Sequence, residues 1–516
     1  MISGRNIRSV HYIWVSLLSI ATIFALSVWY AEWDSFSVPF QRVPEGKRVM
    51  QRHCGTCHLP VPASALDRET WMESALPAMA PEVGIDKLWN EYYPDPNDTT
   101  RSSASGAEWK KILAYYRREA PDTLRLPDPP SSLQTDLPLF SVRTPNLMTE
   151  GRAATAMVAV NDSTHHIYSS NTVTETVYRW DRTLASRTTV QSDLLGVAAR
   201  FPEDSERRRH GIFTSIGGTM RPVDRATGEV LKVDLETTAS HVIADELPRP
   251  VCSIPGDFNQ DGRRDWIVCG FGYNSGGLYL VEQQPDHTYD MRVIRDVPGA
   301  VDAHVEDFNQ DGYPDVMVLF GQGDEGVWLF TNDRNGGFDR RRVKRFPPVY
   351  GSTNFQLVDF NGDDRLDLLY TSGDNADFSR ILKPYHGIYV FLNQGDFQFE
   401  QSYFYHLNGA TEAIAADFDG DGDLDIAAIA YFADLKEESA DNFVYLEQDG
   451  PLEFTPHVPP LQRYGRWLNM DVGDYDDDGD PDLVLGNYSK YYIDQDRRDA
   501  DGSPSYPFIV LENQSR

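Results

Sequence analysis

The sequence predicts a multidomain protein: an N-terminal transmembrane helix, a small all-α domain, and an all-β propeller of about seven blades. Three observations carry that expectation. A nearly uncharged run fills residues 12–31, a Cys-x-x-Cys-His motif occupies residues 54–58, and one pattern of carboxylates and amides recurs five times between residues 257 and 482. The expected segments are a cytoplasmic N-terminus at 1–11, a span at 12–31, the helical domain at 40–120, a Pro-rich linker at 121–150, and the propeller at 151–516.

Arg5 and Arg8 precede the apolar run, which extends from Tyr12 to Ala31 and is followed by Glu32 and Asp34. Such a run is long enough to cross a bilayer, and its positive flank stays inside. The aromatic end (Trp29, Tyr30, Trp33) favours an uncleaved anchor. The alternative is a signal peptide cut near Ala25-Leu26-Ser27, which would release a secreted protein. Either way the body is expected in the periplasm or outside the cell.

The motif His53-Cys54-Gly55-Thr56-Cys57-His58 follows a helical stretch beginning at Gly46. Cys-x-x-Cys-His is the attachment signature of c-type haem: two thiols bond the vinyl groups, and the next histidine binds iron from one side. A thiol redox pair is the alternative reading. A second helical stretch, 106–119, has apolar residues at helical spacing and stops before Pro121. The arrangement resembles a small cytochrome c carrying one covalent haem. Methionine is a usual partner on the far side of the iron. Met79, in Pro77-Ala-Met79-Ala-Pro81, is the candidate, because flanking prolines oppose a helix and favour an extended segment. An open or histidine-filled position is the alternative. Met72, beside Trp71, reads as core, and Met50 and His53 lie too close to the attachment site.

The linker carries Pro127, Pro129 and Pro130 and reads as a semi-rigid spacer, either free or packed on the propeller.

The five repeats are Asp257/Asn259/Asp261/Asp265, Asp307/Asn309/Asp311/Asp315, Asp359/Asn361/Asp363/Asp367, Asp417/Asp419/Asp421/Asp425 and Asp474/Asp476/Asp478/Asp482. Oxygens at loop positions 1, 3, 5 and 9 converge as a hard cation requires, so about five calcium ions are expected. Glycine at position 6 permits the tight turn in four copies, and the third has Asp364 there. Spacings of 50, 52, 58 and 57 residues mark a fold as well as a binding pattern. The repeats resemble the FG-GAP/VCBS family, whose calcium-loop blades also build integrin α-subunit propellers. After each loop come two apolar strands, such as Val316-Met-Val-Leu and Val327-Trp-Leu-Phe. That order argues for four-stranded blades around an axis. Residues 151–250 hold two more candidate units without the acidic loop, Ala156-Met-Val-Ala-Val and Gly211-Ile-Phe-Thr-Ser-Ile.

Net charge is −32, from 47 basic and 79 acidic residues. Five bound calcium ions would leave about −22. A body so acidic repels nucleic acid and anionic lipid. Arg207-Arg-Arg-His210 is a local exception and reads as a solvated loop. Of four cysteines, Cys252 and Cys269 flank the first acidic loop and read either as a disulfide or as two buried thiols.

If each inner strand runs into its acidic loop, the connections between second and third strands lie on the opposite face. Those connections lengthen at about 371–387, 430–442 and 487–507, and long loops on a rigid scaffold often carry function. The inner-strand starts on that face, Cys252, Asp302, Asn354, Glu412 and Asn469, are mostly polar and suggest a hydrated funnel mouth. His386, Glu412 and Asp302 are the acid–base candidates. The expected function is a membrane-anchored c-type cytochrome whose propeller recognises a redox partner protein or a small-molecule or glycan ligand. A redox enzyme that oxidises a small molecule or sugar on its propeller is one alternative. A polysaccharide-binding adhesion protein is the other. The order cytochrome, spacer, repeats resembles a group of bacterial exported proteins joining these modules, which implies architecture and cofactors but no substrate.

Overall fold

The computed structural model describes residues 44–88, 91–94, 104–202, 209–376, 380–433, 441–489 and 505–515. The expected span at 12–31 lies outside them, and among the described residues no helix is long and apolar enough to cross a membrane.

Two helices frame the N-terminal domain, α1 (Glu45–Cys54) and α2 (Gly106–Glu119). Ser105 and Glu108 cap α2 reciprocally, side chain to backbone in both directions. The apolar spacing seen in the sequence buries Trp109, Ile112, Tyr115 and Tyr116 on one face, and α1 adds Val49, Met50 and His53. The helices cross closely because residue 46 is glycine: a Cβ there would stand 2.5 Å from the Lys111 carbonyl oxygen.

Two expectations for this domain need correction. It is not all-α, because Ile85–Leu88 and Glu91–Pro94 form an antiparallel pair. Nor is Met79 in an extended segment. Residues 68–83 form successive helical turns, and Met79 ends the turn Leu76–Met79. The prolines are tolerated because Pro77 opens that turn and Pro81 opens the next. The preceding turn has also widened, so that the Leu76 N–H reaches the Trp71 carbonyl five residues back.

Seven four-stranded antiparallel sheets follow, and the ring is a seven-bladed β-propeller. The inner strands are Val158–Asn161, Gly196–Arg200, Pro250–Gly256, Ala300–Glu306, Ser352–Val358, Ala410–Ala416 and Trp467–Gly473, for blades 1 to 7. Each touches the next, and the seventh touches the first. The two units at 151–250 are blades 1 and 2. Second strands such as Asp315–Phe320 and Asp425–Ala430 are buried along their whole length, since each blade is covered by a neighbour on both sides.

Blade 7 takes its outermost strand from the linker. Phe140–Arg143 pairs antiparallel with Phe508–Asn513, and Arg143 grips Glu512 through two nitrogens at 2.7 and 2.8 Å. The propeller therefore begins at residue 140 rather than 151, and the ring is fastened by pairing both ends of its chain. The Pro-rich segment before that strand is packed rather than free: Gln134 and His457 form a parallel bridge, and His457 Nδ1 lies 2.8 Å from Asp136.

Candidate functional site

In blades 3 to 7 the acidic loop joins the inner strand to the second strand, so all five loops lie on one face. Positions 4 and 6 are left-handed. Gln260, Gln310, Gly362, Gly420 and Asp477 hold position 4; Gly262, Gly312, Asp364, Gly422 and Gly479 hold position 6. Asp364 (φ 63°) keeps the bond its glycine counterparts make: its N–H donates to Asp359 at 2.8 Å, as Gly262 does to Asp257 at 2.9 Å. The third loop is thus not distorted, and its strain rests on one residue type that tolerates this conformation.

The carboxylate oxygens of Asp417, Asp419 and Asp421 lie within 4.8 Å of one another, as do those of Asp474, Asp476 and Asp482. Backbone N–H groups also point inward, for example Asp311 N–H to both Asp307 and Asn309 at 2.9 Å. This donor set fits a hard cation. In the first three loops the position-5 carboxylate carries an arginine: Asp261 with Arg263, Asp311 with Arg334 at 2.8 Å, and Asp363 with Arg365.

Convergence is less complete than the spacing predicts at four of the expected ligands. Asn259, Asn309 and Asn361, at position 3 of the first three loops, are exposed. The side-chain oxygen of each accepts the N–H two residues on, that of Asp261, Asp311 or Asp363, at 2.9–3.1 Å. Asp478, at position 5 of the fifth loop, is exposed as well and accepts the Asp480 N–H at 3.2 Å. It stands outside the cluster that Asp474, Asp476 and Asp482 form. The cause is local. An Asn or Asp oxygen two residues ahead of an N–H closes a turn with its own backbone, so these side chains shape the loop before they serve a cation. Each keeps a further lone pair for a metal, as does Asp419, which accepts the Asp421 N–H at 3.0 Å and still stands in the fourth loop's cluster.

The position-9 aspartates Asp265, Asp315, Asp367, Asp425 and Asp482 are buried at the start of the second strand. One oxygen of each accepts a backbone N–H from the end of the third strand, at Gln283, Asn332, Asn393, Gln448 and Asn513 respectively, over 2.7–2.9 Å. Three of these partners also brace loops with their side chains: Asn332 donates to Phe258 O at 2.9 Å and Asn513 to Phe418 O at 2.8 Å, both in the preceding blade, while Asn393 donates to Leu366 O at 3.1 Å. Sequence reasoning passed over these amides, although an Asn or Gln recurs near the end of the third strand in each of blades 3 to 7.

Cys54 ends α1 half-buried, Cys57 is exposed, and both are unbonded. Burial pushes the Cys54 thiol up to about 11. His58 Nδ1 lies 2.8 Å from the Leu59 carbonyl. A carbonyl only accepts, so Nδ1 carries a proton, and in the neutral imidazole Nε2 keeps its lone pair. The loop beyond is pinned by Tyr116 to the Val61 carbonyl at 2.8 Å and by Trp71 to that of Ala63 at 2.9 Å. A third pin comes from the propeller: the Tyr385 hydroxyl donates to the Ala65 carbonyl at 3.0 Å. Val349, Ile381 and Tyr385 pack on the core of the helical domain, and Tyr385 stacks on Tyr350 with ring centres 4.8 Å apart. These residues lie between blades 4 and 5 and in the long connection of blade 5. The helical domain therefore sits on the face opposite the acidic loops.

Of the acid–base candidates, His386 is set apart from Glu412 and Asp302. Glu412 accepts the Met470 N–H at 2.8 Å; burial, then Asp471 and Asp302, push its carboxyl up to about 8. Asp302 bonds the neighbouring Ala303 N–H. His386 is buried elsewhere, under the blade 5 connection, where burial and then Lys383 and His406 drive its basicity well down. Nor are the polar inner-strand residues simply a wet mouth. Gln356 binds Ala415 N–H at 2.7 Å, Glu412 binds Met470, Asp471 binds Val160 at 2.7 Å, and His304 meets Phe355 O at 3.2 Å. Adjacent inner strands diverge and cannot pair by backbone alone, so side chains satisfy their free edges. The same region holds Glu325, whose carboxylate accepts from Ser352 N at 2.6 Å and Oγ at 2.5 Å; burial pushes it up to about 8. Of the basic cluster, Arg209 pairs with Asp234 at 2.7 Å, while Arg207 and Arg208 lie outside the described residues.

A family profile described as FG-GAP-like repeat matches residues 257–318, 307–370 and 377–428. No curated protein matches the sequence. Similar solved structures include an ancestral GH74 enzyme, with 10% identity, a TM-score of 0.46, and 72% of this chain covered. They also include a gluconolactonase from Xanthomonas campestris, with 12% identity, a TM-score of 0.35, and 58% of this chain against 94% of that one. The match spans about half the length (51%) of the GH74 enzyme. The chain carries FG-GAP-like repeats, built into a seven-bladed β-propeller.

Proposed function

We propose that the protein is an extracytoplasmic, membrane-anchored c-type cytochrome whose calcium-bearing propeller selects a redox partner or ligand. The observation that carries this reading is His58. It follows Cys57 in the turn just beyond a packed helix, with Nδ1 committed to a backbone carbonyl and Nε2 available, which is the orientation a metal-bound histidine requires. Cys54 and Cys57 would hold a haem covalently and His58 would bind its iron, with Met79 as candidate opposite ligand. When bound, the group exchanges one electron at a time. The chain's own part is to fix the imidazole, to brace the loop after it through Tyr116, Trp71 and Tyr385, and to exclude water from the α1–α2 core. Calcium in the five loops would hold one face of the propeller rigid while the opposite face carries the helical domain.

The test is extraction with acidified acetone. Iron porphyrin should stay with the polypeptide, and Cys54→Ala with Cys57→Ala should release it; release from the unaltered chain would sink the reading. Asp302 and Asp471 both act through their charge on the Glu412 carboxyl. That trio favours a second reading, oxidation of a small hydroxylated molecule at the channel. Haem reduction that depends on such a substrate and fails in Asp302→Asn would select it.

A further inference from the structure

Cys252 lies on the inner strand of blade 3 and Cys269 on the second strand, and the sheet register places them directly opposite each other. Directly paired residues on antiparallel strands have Cα atoms about 4.5 or 5.5 Å apart, both within the roughly 4.4–6.8 Å that a disulfide spans. Their side chains share one face of the sheet. Both are free thiols in this structure, buried in the cluster formed by Ile254, Phe258, Ala303 and Val318 between blades 3 and 4. They enclose the whole first acidic loop, residues 257–265.

We infer that Cys252 and Cys269 form a disulfide that clasps the first calcium loop. A buried thiol pair would serve packing equally well with alanine or valine. Two cysteines in direct opposition, in a chain with only four, provide something apolar residues do not: a covalent tie between inner and second strand at the foot of the loop.

The bond forms by exchange with an external disulfide, such as glutathione disulfide or an extracytoplasmic thiol oxidase. One thiolate attacks the oxidant and releases one reduced thiol; the second attacks the resulting mixed disulfide and releases the other. The two cysteine sulfurs give up two electrons, and both protons pass through solvent to the departing thiolates. Burial, followed by the neighbouring Cys252, holds the Cys269 thiol well above its ordinary range. Thiolate chemistry on the closed blade is therefore suppressed, so the bond is made during folding, before blade 4 covers blade 3, and persists afterwards.

The test uses the full chain, unfolded under reducing conditions and refolded with calcium into a glutathione redox buffer. It is then alkylated with N-ethylmaleimide in denaturant without reductant, digested and mapped. The expected result is one cross-linked peptide containing Cys252 and Cys269, two hydrogens lighter than the sum of its parts, with neither residue alkylated. Prior reduction should convert it to two alkylated peptides. Alkylation of both residues in natively refolded protein would overturn the inference, as would a bond from either to Cys54 or Cys57. The Cys54→Ala/Cys57→Ala chain should give the same map, so the result stands apart from the haem reading.

Discussion

Tyr385 of blade 5 donates its hydroxyl to the Ala65 carbonyl at 3.0 Å, in the loop that leaves the Cys-x-x-Cys-His motif. One side chain of the propeller thus braces the segment that fixes His58. Removing the hydroxyl should loosen that loop without disturbing either core. Tyr385→Phe is expected to cost roughly 1 kcal/mol of docking and to raise hydrogen exchange across residues 59–66. Val349→Asp, which places a charge in the same contact, should detach the domain more completely. Exchange unchanged in both variants would mean that the two domains do not dock through this contact.

If haem is bound as proposed, ligand chemistry predicts how its potential responds. Replacing Met79 by alanine should lower the reduction potential if its sulfur is the opposite ligand, because a thioether favours the reduced iron. An unmoved potential and an unmoved ferric spectrum would reassign that ligand. Covalent retention should survive the change, since it depends only on Cys54 and Cys57.

Periodic features are legible in the sequence, and features made by distant pairing are not. The acidic loops announce themselves because Asp417 to Asp425 and its counterparts repeat a local geometry. Spacing alone does not say which oxygens also close turns with the loop's own N–H groups, as those of Asn259, Asn309, Asn361 and Asp478 do. The outer strand Phe140–Arg143 is not legible, because four residues beside a Pro-rich stretch carry no strand signal until Phe508–Asn513 offers an edge. Gln356, Glu412 and Asp471 show the same limit. Polarity on an inner strand says that a partner exists, but the partner is the edge of the next strand rather than solvent. At Met79, local rules mislead: each proline excludes a regular helix, yet a widened turn accommodates both.

The buried acids Glu325 and Glu412 predict how stability responds to pH. Burial pushes both carboxyls from 4.5 up to about 8 in the folded protein. Between those values the folded chain keeps protons that the unfolded chain has released, so the stability these two groups contribute is fully present below pH 4.5 and is lost as pH rises towards 8. With saturating calcium, which keeps the loop carboxylates ionised, the melting temperature should fall across that window. Glu325→Gln and Glu412→Gln should each flatten the decline while keeping the fold. A double variant with the original slope would assign the effect to other groups.

Calcium should leave the five loops in a definite order. Loop charge and competing cations set the ranking, because affinity rises with the number of anionic ligands. The fourth loop has four aspartates at positions 1, 3, 5 and 9, and among the described residues none of them meets an arginine or lysine. The fifth has the same four, but Asp478 stands outside its cluster. In addition, His165 lies 3.8 Å from Asp474 and Arg182 binds the adjacent Asp477 at 3.0 Å. The first three substitute asparagine at position 3 and carry Arg263, Arg334 or Arg365 on position 5. A chelator titration should therefore strip the first three loops early, the fifth next and the fourth last, with the steepest loss of propeller melting temperature at the end. Arg334→Gln should tighten the second loop by removing its competing cation. Asp419→Asn should move the fourth loop towards the weak group. Five equivalents lost together, with neither variant shifting the titration, would show that side-chain charge does not rank the sites.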